Sequence, residues 1–134
     1  MPGRLPVNPK PYTFPPSHRI RTKTDFSRVY DARVRESAGP LTIYGIPNEL
    51  GHPRLGLSVG RRVGTAPRRN RIKRLLREAF RHHQHDLAPG YDLVVTVRPH
   101  EPLTAEAYGT LFAGMTLKLH QRWERRRGSE PPGA

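Results

Sequence analysis

Apolar residues in the middle of the chain recur at the spacing of one face of an α-helix. The stripe consists of Ile72, Leu75, Leu76, Ala79 and Phe80. Its i, i+3, i+4, i+7, i+8 pattern predicts a helix that docks on a hydrophobic core. The turn at residues 64–67 ends in proline, which suits the first turn of a helix, so the helix is expected to start there.

Two further helices are indicated by shorter signals. Residues 24–30 are expected to form a short helix in which Thr24 is the N-cap and Asp25 lies in the first turn. A closing helix begins after Thr104, which can cap it, and runs to about Trp123. It packs through residues at helical spacing: Leu103, Ala107, Leu111, Phe112, Met115 and Leu119.

Alternation with a period of two predicts three β-strands. They lie at residues 41–46, 54–62 and 91–98. In the second strand the face opposite the leucines carries Gly56, Ser58 and Gly60. This face is a flat floor that another backbone or a ligand could approach closely.

The expected element order is α-β-β-α-β-α, an α/β fold with a mixed sheet and helices on one side. The folded domain is expected at residues 17–123. Residues 1–16 contain six prolines and little to bury, which indicates a flexible, extended N-terminal arm. Residues 124–134 are expected to form a flexible C-terminal tail.

The charge of the chain is large and focused. It has 24 Lys and Arg against 11 Asp and Glu, a formal net charge of +13. Nine of the basic residues lie within residues 61–81. On the predicted helix, Asn70, Arg74, Arg77 and Arg81 fall opposite the apolar stripe. Such like-charge crowding destabilises an isolated helix, so it indicates a polyanionic partner.

Other functional classes find little support in the sequence. The chain has no cysteine, which excludes disulfides and thiolate chemistry. No apolar run could span a bilayer and no signal peptide is recognisable, so a cytoplasmic protein without membrane partners is expected. The histidines His82, His83 and His85 lack a third metal ligand at sensible spacing. The carboxylates are scattered, and Ser58 has no triad pattern around it. No catalytic residue and no protein-bound metal are expected.

Aromatic residues form a second candidate set. Phe26 and Tyr30 lie one helical turn apart, and Tyr44 lies on the polar face of its strand. Core packing is the favoured interpretation of Phe26. For the two tyrosines, core packing and an exposed functional position are about equally consistent with the sequence. Exposed aromatics beside arginines are also how proteins stack unpaired bases of single-stranded RNA.

Residues 61–80 resemble the signature of the bacterial ribonuclease P protein subunit. That pattern is two basic residues, Gly-x-Ala, Arg-Asn-x-x-Lys-Arg, and then a further basic residue on an apolar helix. Here it is formed by Arg61, Arg62, Gly64, Ala66, Arg69, Asn70, Lys73, Arg74 and Arg77. The likeness extends over residues 19–123 and includes the helix at 25–30 and the strands at 55–59 and 91–95.

The resemblance implies a fold and a function. The family fold is a two-layer α-β sandwich in which the basic helix lies in an unusual left-handed βαβ crossover. Its members bind a large catalytic RNA, and the RNA holds the Mg²⁺ ions that remove the 5′ leader of precursor tRNA. The protein grips the single-stranded leader. The chain is thus expected to act in an endoribonuclease while the chemistry belongs to the RNA, and DNA is not expected as a partner.

Site residues carry over by position. The motif that contacts the catalytic RNA corresponds to Arg69, Asn70, Arg71, Lys73, Arg74 and Arg77, and the neighbouring Arg61, Arg62 and Arg68 are expected to extend it. The leader cleft corresponds to Phe26, Tyr30 and Tyr44, with Ser58 on the strand floor beside them.

Two alternatives remain at this point. A ribosomal or ribosome-assembly protein that binds rRNA has the same charge and a similar α/β fold. A phosphodiesterase acting without RNA belongs to another class, and the lack of an acidic cluster weighs against it.

Overall fold

The computed structural model describes residues 16–83 and 90–129. The described helices are α1 (Lys23–Asp31), α2 (Ala66–His83) and α3 (Ala105–Ser129). The described strands are β1 (Arg35–Ala38), β2 (Leu41–Pro47), β3 (Arg54–Ser58) and β4 (Tyr91–Val97). Short 3₁₀ turns occupy Pro16–His18 and Arg61–Val63.

The strands form a mixed sheet in the order β1-β2-β4-β3. The β1–β2 and β2–β4 pairs are antiparallel, and β3 and β4 are parallel. The α/β class and the mixed sheet are therefore confirmed. Strand β1 is absent from the predicted order because its sequence, Arg-Glu-Ser-Ala, has no alternation of apolar residues.

The basic helix α2 connects the parallel neighbours β3 and β4. A parallel pair needs such a crossover connection, so the expected βαβ unit is present. Its left-handedness remains a prediction from the family resemblance.

Helices cover both faces of the sheet. Leu93 and Val95 of β4 pack with the buried residues of α2 and α3. Val94, between them, points to the other face and packs with Val29 of α1. The sheet with α2 and α3 forms the predicted two-layer sandwich, but the expectation that all helices lie on one side is wrong. Sequence periodicity gives the buried stripe of α1 without saying which face of the sheet receives it.

Several predicted boundaries shift in the structure. The N-cap of α1 is Thr22, whose Oγ1 accepts a hydrogen bond from the Asp25 backbone N–H at 3.1 Å, so Thr24 is inside the helix. Thr104 is confirmed as the cap of α3 because its Oγ1 accepts from Ala107 N at 3.0 Å. Strand β3 ends at Ser58 rather than residue 62, because the chain turns there into the 3₁₀ turn.

The closing helix is longer than predicted. Helix α3 continues six residues past Trp123 to Ser129, so the predicted boundary of the tail at residue 124 is wrong. Trp123 anchors this part of the helix to the sheet: its Nε1–H donates to the Gly45 carbonyl at 2.9 Å. The predictions for residues 1–15 and 130–134, and for His85, lie outside the described residues.

Candidate RNA interface

Helix α2 separates an apolar face from a basic one as its sequence predicts. Ile72, Leu76, Ala79 and Phe80 are buried, while Leu75 is half-buried against the same core. The polar side exposes Asn70, Arg71, Arg74 and Arg77. Lys73 and Arg81 are partly covered at its margins. The core contacts of the apolar face hold the helix in place despite the repulsion among its arginines.

Two of the predicted RNA-binding arginines also have partners within the protein. The guanidinium of Arg68 pairs with Glu101 at 3.2 Å. The Nε–H of Arg69 donates to the Gly64 carbonyl at 3.2 Å. These two side chains shape the start of α2, whereas Arg71 and Arg74 are exposed without a carboxylate partner in the described part of the chain.

The turn before α2 depends on glycine. Gly64 has φ 152° and ψ −164°, a backbone region that is essentially restricted to glycine. A Cβ at this position would lie 2.5 Å from Cδ of Arg68. The turn also places Arg61 and Arg62 on the surface beside the helix N-terminus, where both are exposed.

The three predicted leader-binding aromatics lie in a row across α1 and β2, called here the aromatic row (Phe26, Tyr30 and Tyr44). The ring centroids of Phe26 and Tyr30 are 6.4 Å apart. Tyr30 meets Tyr44 edge to face at 4.9 Å. All three side chains are partly exposed, so each is able both to pack on its neighbour and to present ring surface to a base.

The glycine floor of β3 is only partly open. A Cβ on Gly56 would lie 2.8 Å from Cζ of Phe26, so the aromatic ring itself occupies the space that the missing side chain leaves. The expected close approach of an outside strand at Gly56 is therefore wrong. Ser58 follows on the same face and is exposed, and Gly60 has open space around it.

A pocket of about 280 Å³ connects the aromatic row to the basic helix. We call it the cationic pocket; its charged and aromatic lining consists of Arg19, Arg21, Phe26, Lys73 and Arg77. Burial and the nearby positive charge of Arg19 lower the pKa of Arg77. Cations that repel one another beside an aromatic ring favour an anion with an attached base, which is the chemistry of a nucleotide.

A buried carboxylate holds α1 against the sheet. Asp92 in β4 is 0 % exposed and accepts hydrogen bonds from Arg54 at 2.6 and 2.9 Å. It also accepts from Arg28 of α1 at 2.9 Å and from Asn48 at 2.7 Å. Asp25 of α1 joins the same network through Arg54 at 3.6 Å.

This network was not predicted from the sequence. The available signal was an aspartate in an otherwise apolar strand, since a buried charge needs a partner. Burial by itself would raise the pKa of Asp92, but the bonds from Arg54 and Asn48 and the charge of Arg28 outweigh it and lower the pKa below its usual range. Arg28 and Arg54 already neutralise Asp25 and Asp92, so these carboxylates do not suit a metal cation.

The described residues contain no group of three His, Cys, Asp or Glu side chains that could hold a metal ion. Within residues 16–83 and 90–129, no helix combines the length and the apolar character needed to cross a bilayer.

Comparison with known proteins decides the family. The sequence model described as Ribonuclease P matches residues 14–117. The chain belongs to the ribonuclease P protein family. It is 50% identical over 86 residues to the ribonuclease P protein component of Photorhabdus laumondii, covering 63% of this chain and 71% of that protein. The identity to the Proteus mirabilis component is also 50% over 86 residues.

Solved structures of the family have the same fold. The RNase P protein of Staphylococcus aureus has a TM-score of 0.66 and 30% identity, over 77% of this chain and 94% of that chain. The Thermotoga maritima protein has a TM-score of 0.57 and 32% identity, over 60% of this chain and 73% of that chain. The match to the family model ends at residue 117, whereas α3 continues to Ser129.

Proposed function

We propose that this chain binds the catalytic RNA of ribonuclease P through the basic face of α2 and the 5′ leader of precursor tRNA through the aromatic row. The observation that carries the proposal is the cationic pocket. Lys73 and Arg77 of α2 and Phe26 of α1 line the same pocket. A docked RNA and a substrate strand would therefore meet on adjacent surfaces, with the scissile end of the leader near Phe26.

The basic face of α2 and the aromatic row bind RNA in different ways because their side chains differ. The exposed arginines of α2 neutralise phosphates of the catalytic RNA, which gives strong but salt-dependent affinity. The aromatic row stacks unpaired leader bases, and this type of contact tolerates any leader sequence because every base has a π-face.

Cleavage of the leader is assigned to the RNA subunit. Two carboxylates on α1 and β4, Asp25 and Asp92, are committed to Arg28 and Arg54. We therefore assign the Mg²⁺ ions to the catalytic RNA and the substrate; bound there, they would supply activation of a water molecule and stabilisation of the leaving oxygen. The alternative of an rRNA-binding ribosomal protein lacks support from the family match.

The proposal predicts that two substitutions act on different steps. Tyr44→Ala removes one stacking ring and should weaken binding of precursor tRNA by about 1–3 kcal/mol, while assembly with the catalytic RNA and binding of mature tRNA stay nearly unchanged. Arg74→Ala should weaken assembly whatever the leader length. Measuring the affinities of both variants for the catalytic RNA, precursor tRNA and mature tRNA tests whether the two substitutions have these different effects.

Tyr44→Phe is the matched control for the aromatic row. It keeps the ring and loses the hydroxyl, so precursor binding should remain near that of the unsubstituted protein. Equal weakening of precursor and mature tRNA by Tyr44→Ala would contradict leader stacking. Leader removal by the protein without the catalytic RNA would contradict the assignment of the chemistry.

A further inference from the structure

The last turns of α3 carry a second concentration of positive charge. Residues 118–129 lie beyond the part of the chain that matches the family model. They contain five Lys and Arg residues and a single acidic residue, Glu124. Glu124 pairs with Arg127 at 2.9 Å, and the segment keeps a clear excess of basic over acidic residues.

This helical extension is docked at the edge of the sheet. Trp123 packs against both hydrophobic clusters, the one under α2 and α3 and the one under α1. It therefore lies where the two faces meet, next to Gly45, whose carbonyl it binds. Arg122 adds a second anchor because its guanidinium donates to the Arg35 carbonyl of β1 and pairs with Glu36 at 3.4 Å.

Docking brings cations of α3 and β1 to the end of the aromatic row. Arg126 lies over the Trp123 ring, with Cζ 4.8 Å from the centroid. Arg35 pairs with Tyr44 in the β1–β2 register, and its Cζ lies 5.9 Å from the Tyr44 ring centroid. Arg35, Trp123 and Arg126 are called here the edge patch.

The geometry of the edge patch suits RNA. A guanidinium stacked on an aromatic ring keeps its N–H groups at its rim, where they can bind phosphate, and its plane can also stack on a base. Arg35 and Arg126 are both exposed. The acidic neighbour Glu36 is paired with Arg122, so it does not cancel the charge of Arg35.

We propose that the edge patch binds the part of the precursor-tRNA leader farthest from the cleavage site. The inference rests on the proposed function and extends it. A strand that enters at the cationic pocket and stacks on Phe26, Tyr30 and Tyr44 leaves the aromatic row beside Arg35. From there the edge patch continues the same cationic and aromatic surface onto α3, so long leaders gain contacts that short leaders lack.

The helix supplies a matched control for this surface. Arg126 is three residues after Trp123 and shares its side of α3. Arg125 is two residues after Trp123 and points away from it, because residues at i and i+2 do not face each other. Alanine at either position removes one positive charge from the same exposed turn and favours the helix.

The experiment uses the holoenzyme, reconstituted with its catalytic RNA, and measures its affinity for two precursor tRNAs. One precursor has a short leader that ends on the aromatic row, and the other has a long leader. The unsubstituted protein and Arg125→Ala should bind the long leader more tightly than the short one. Arg126→Ala and Arg35→Ala should each lose roughly five- to tenfold in affinity for the long leader, as expected for the loss of one solvent-exposed hydrogen-bonded contact. Both should bind the short leader normally.

The outcomes separate this inference from the function on which it rests. Equal losses for Arg125→Ala and Arg126→Ala, or an unchanged gain from the long leader in Arg126→Ala, would overturn the edge patch while leaving the leader cleft intact. If Arg126→Ala weakens assembly with the catalytic RNA as much as it weakens binding of the long-leader precursor, the patch belongs to that RNA and the inference is overturned. If the unsubstituted holoenzyme binds the short-leader precursor no better than mature tRNA, the proposed function itself fails.

Discussion

At the scale of single residues, Asp92 decides how α1 sits on the sheet. Its carboxylate lies in the apolar strand β4 and joins three other parts of the chain through Arg28, Asn48 and Arg54. Burying a charge is costly unless it is paired and hydrogen-bonded. The bidentate contact from Arg54 meets this need, and the contact from Arg28 fixes the helix that carries Phe26 and Tyr30.

Asp92→Asn is expected to destabilise the fold strongly, by about 3–5 kcal/mol, because it removes the fully buried charge that pairs with Arg28 and Arg54 and leaves Arg54 with only its longer contact to Asp25. The pH dependence has a definite sign. The pKa of Asp92 is lower in the folded than in the unfolded protein, so the network stabilises fully above the ordinary aspartate pKa of about 3.9. That stabilisation is lost as the pH falls through the lower folded pKa.

Urea unfolding of both proteins between pH 7 and pH 3 measures this effect. The difference in free energy of unfolding should be constant near neutrality and should shrink at the acidic end. Asp31→Asn is the control, since Asp31 is exposed at the end of α1 and its substitution should change stability by less than about 0.5 kcal/mol. A difference independent of pH would show that the charge of Asp92 is not its source.

At the scale of elements, the turn before α2 determines where the basic face begins. The backbone of Gly64 is in a region that other residues avoid, and its carbonyl accepts from Arg69. The Thr65 hydroxyl lies 3.4 Å from the Arg68 backbone N–H at the helix start. The turn thus orients the first arginines of the helix before any RNA is bound.

Gly64→Ala is expected to cost about 1–3 kcal/mol of stability through backbone strain and to weaken assembly with the catalytic RNA by displacing Arg68 and Arg69. Gly60→Ala is the control in the same loop. Gly60 has φ −79° and no atom within 4 Å of an added Cβ, so alanine should fit there. Thermal unfolding of the two variants compares them directly, and equal losses would contradict a specific need for glycine at residue 64.

At the scale of the whole molecule, basic groups lie at both ends of the aromatic row: Lys73 and Arg77 share the cationic pocket with Phe26, and Arg35 lies over Tyr44. This distribution and the net charge of +13 fit the proposed binding of a long, folded RNA together with a single strand. Under this proposal, release of counterions dominates the affinity for RNA, so the logarithm of the binding constant should fall with log salt by roughly 0.7–0.9 for each phosphate contact.

Arg74→Ala is expected to reduce that salt slope by about one contact, because Arg74 is exposed and has no carboxylate partner among the described residues. Arg68→Ala should reduce it less, because Glu101 already pairs with Arg68. Titration of the catalytic RNA at several salt concentrations compares the two. Equal changes in slope would show that the Arg68–Glu101 pair opens when RNA binds.

Local sequence patterns were sufficient to predict several helices and strands of this protein and to indicate its family. The stripe of Ile72, Leu76 and Phe80 predicted α2, the alternation of Leu93 and Val95 predicted β4, and the basic motif indicated the family. A helix or strand that buries one of its faces carries apolar residues at a regular spacing. This spacing involves only residues close together in the chain, so it can be recognised from the sequence.

Only the tertiary structure decided the features that join distant segments. The face chosen by α1, the edge strand β1, the partners of Asp92 and the docking of Trp123 on Gly45 all depend on residues far apart in the chain. Arg28 and Asp92, for example, are 64 positions apart. Periodicity shows that a side chain will be buried, but the partner that it meets is set by how the sheet and helices pack together.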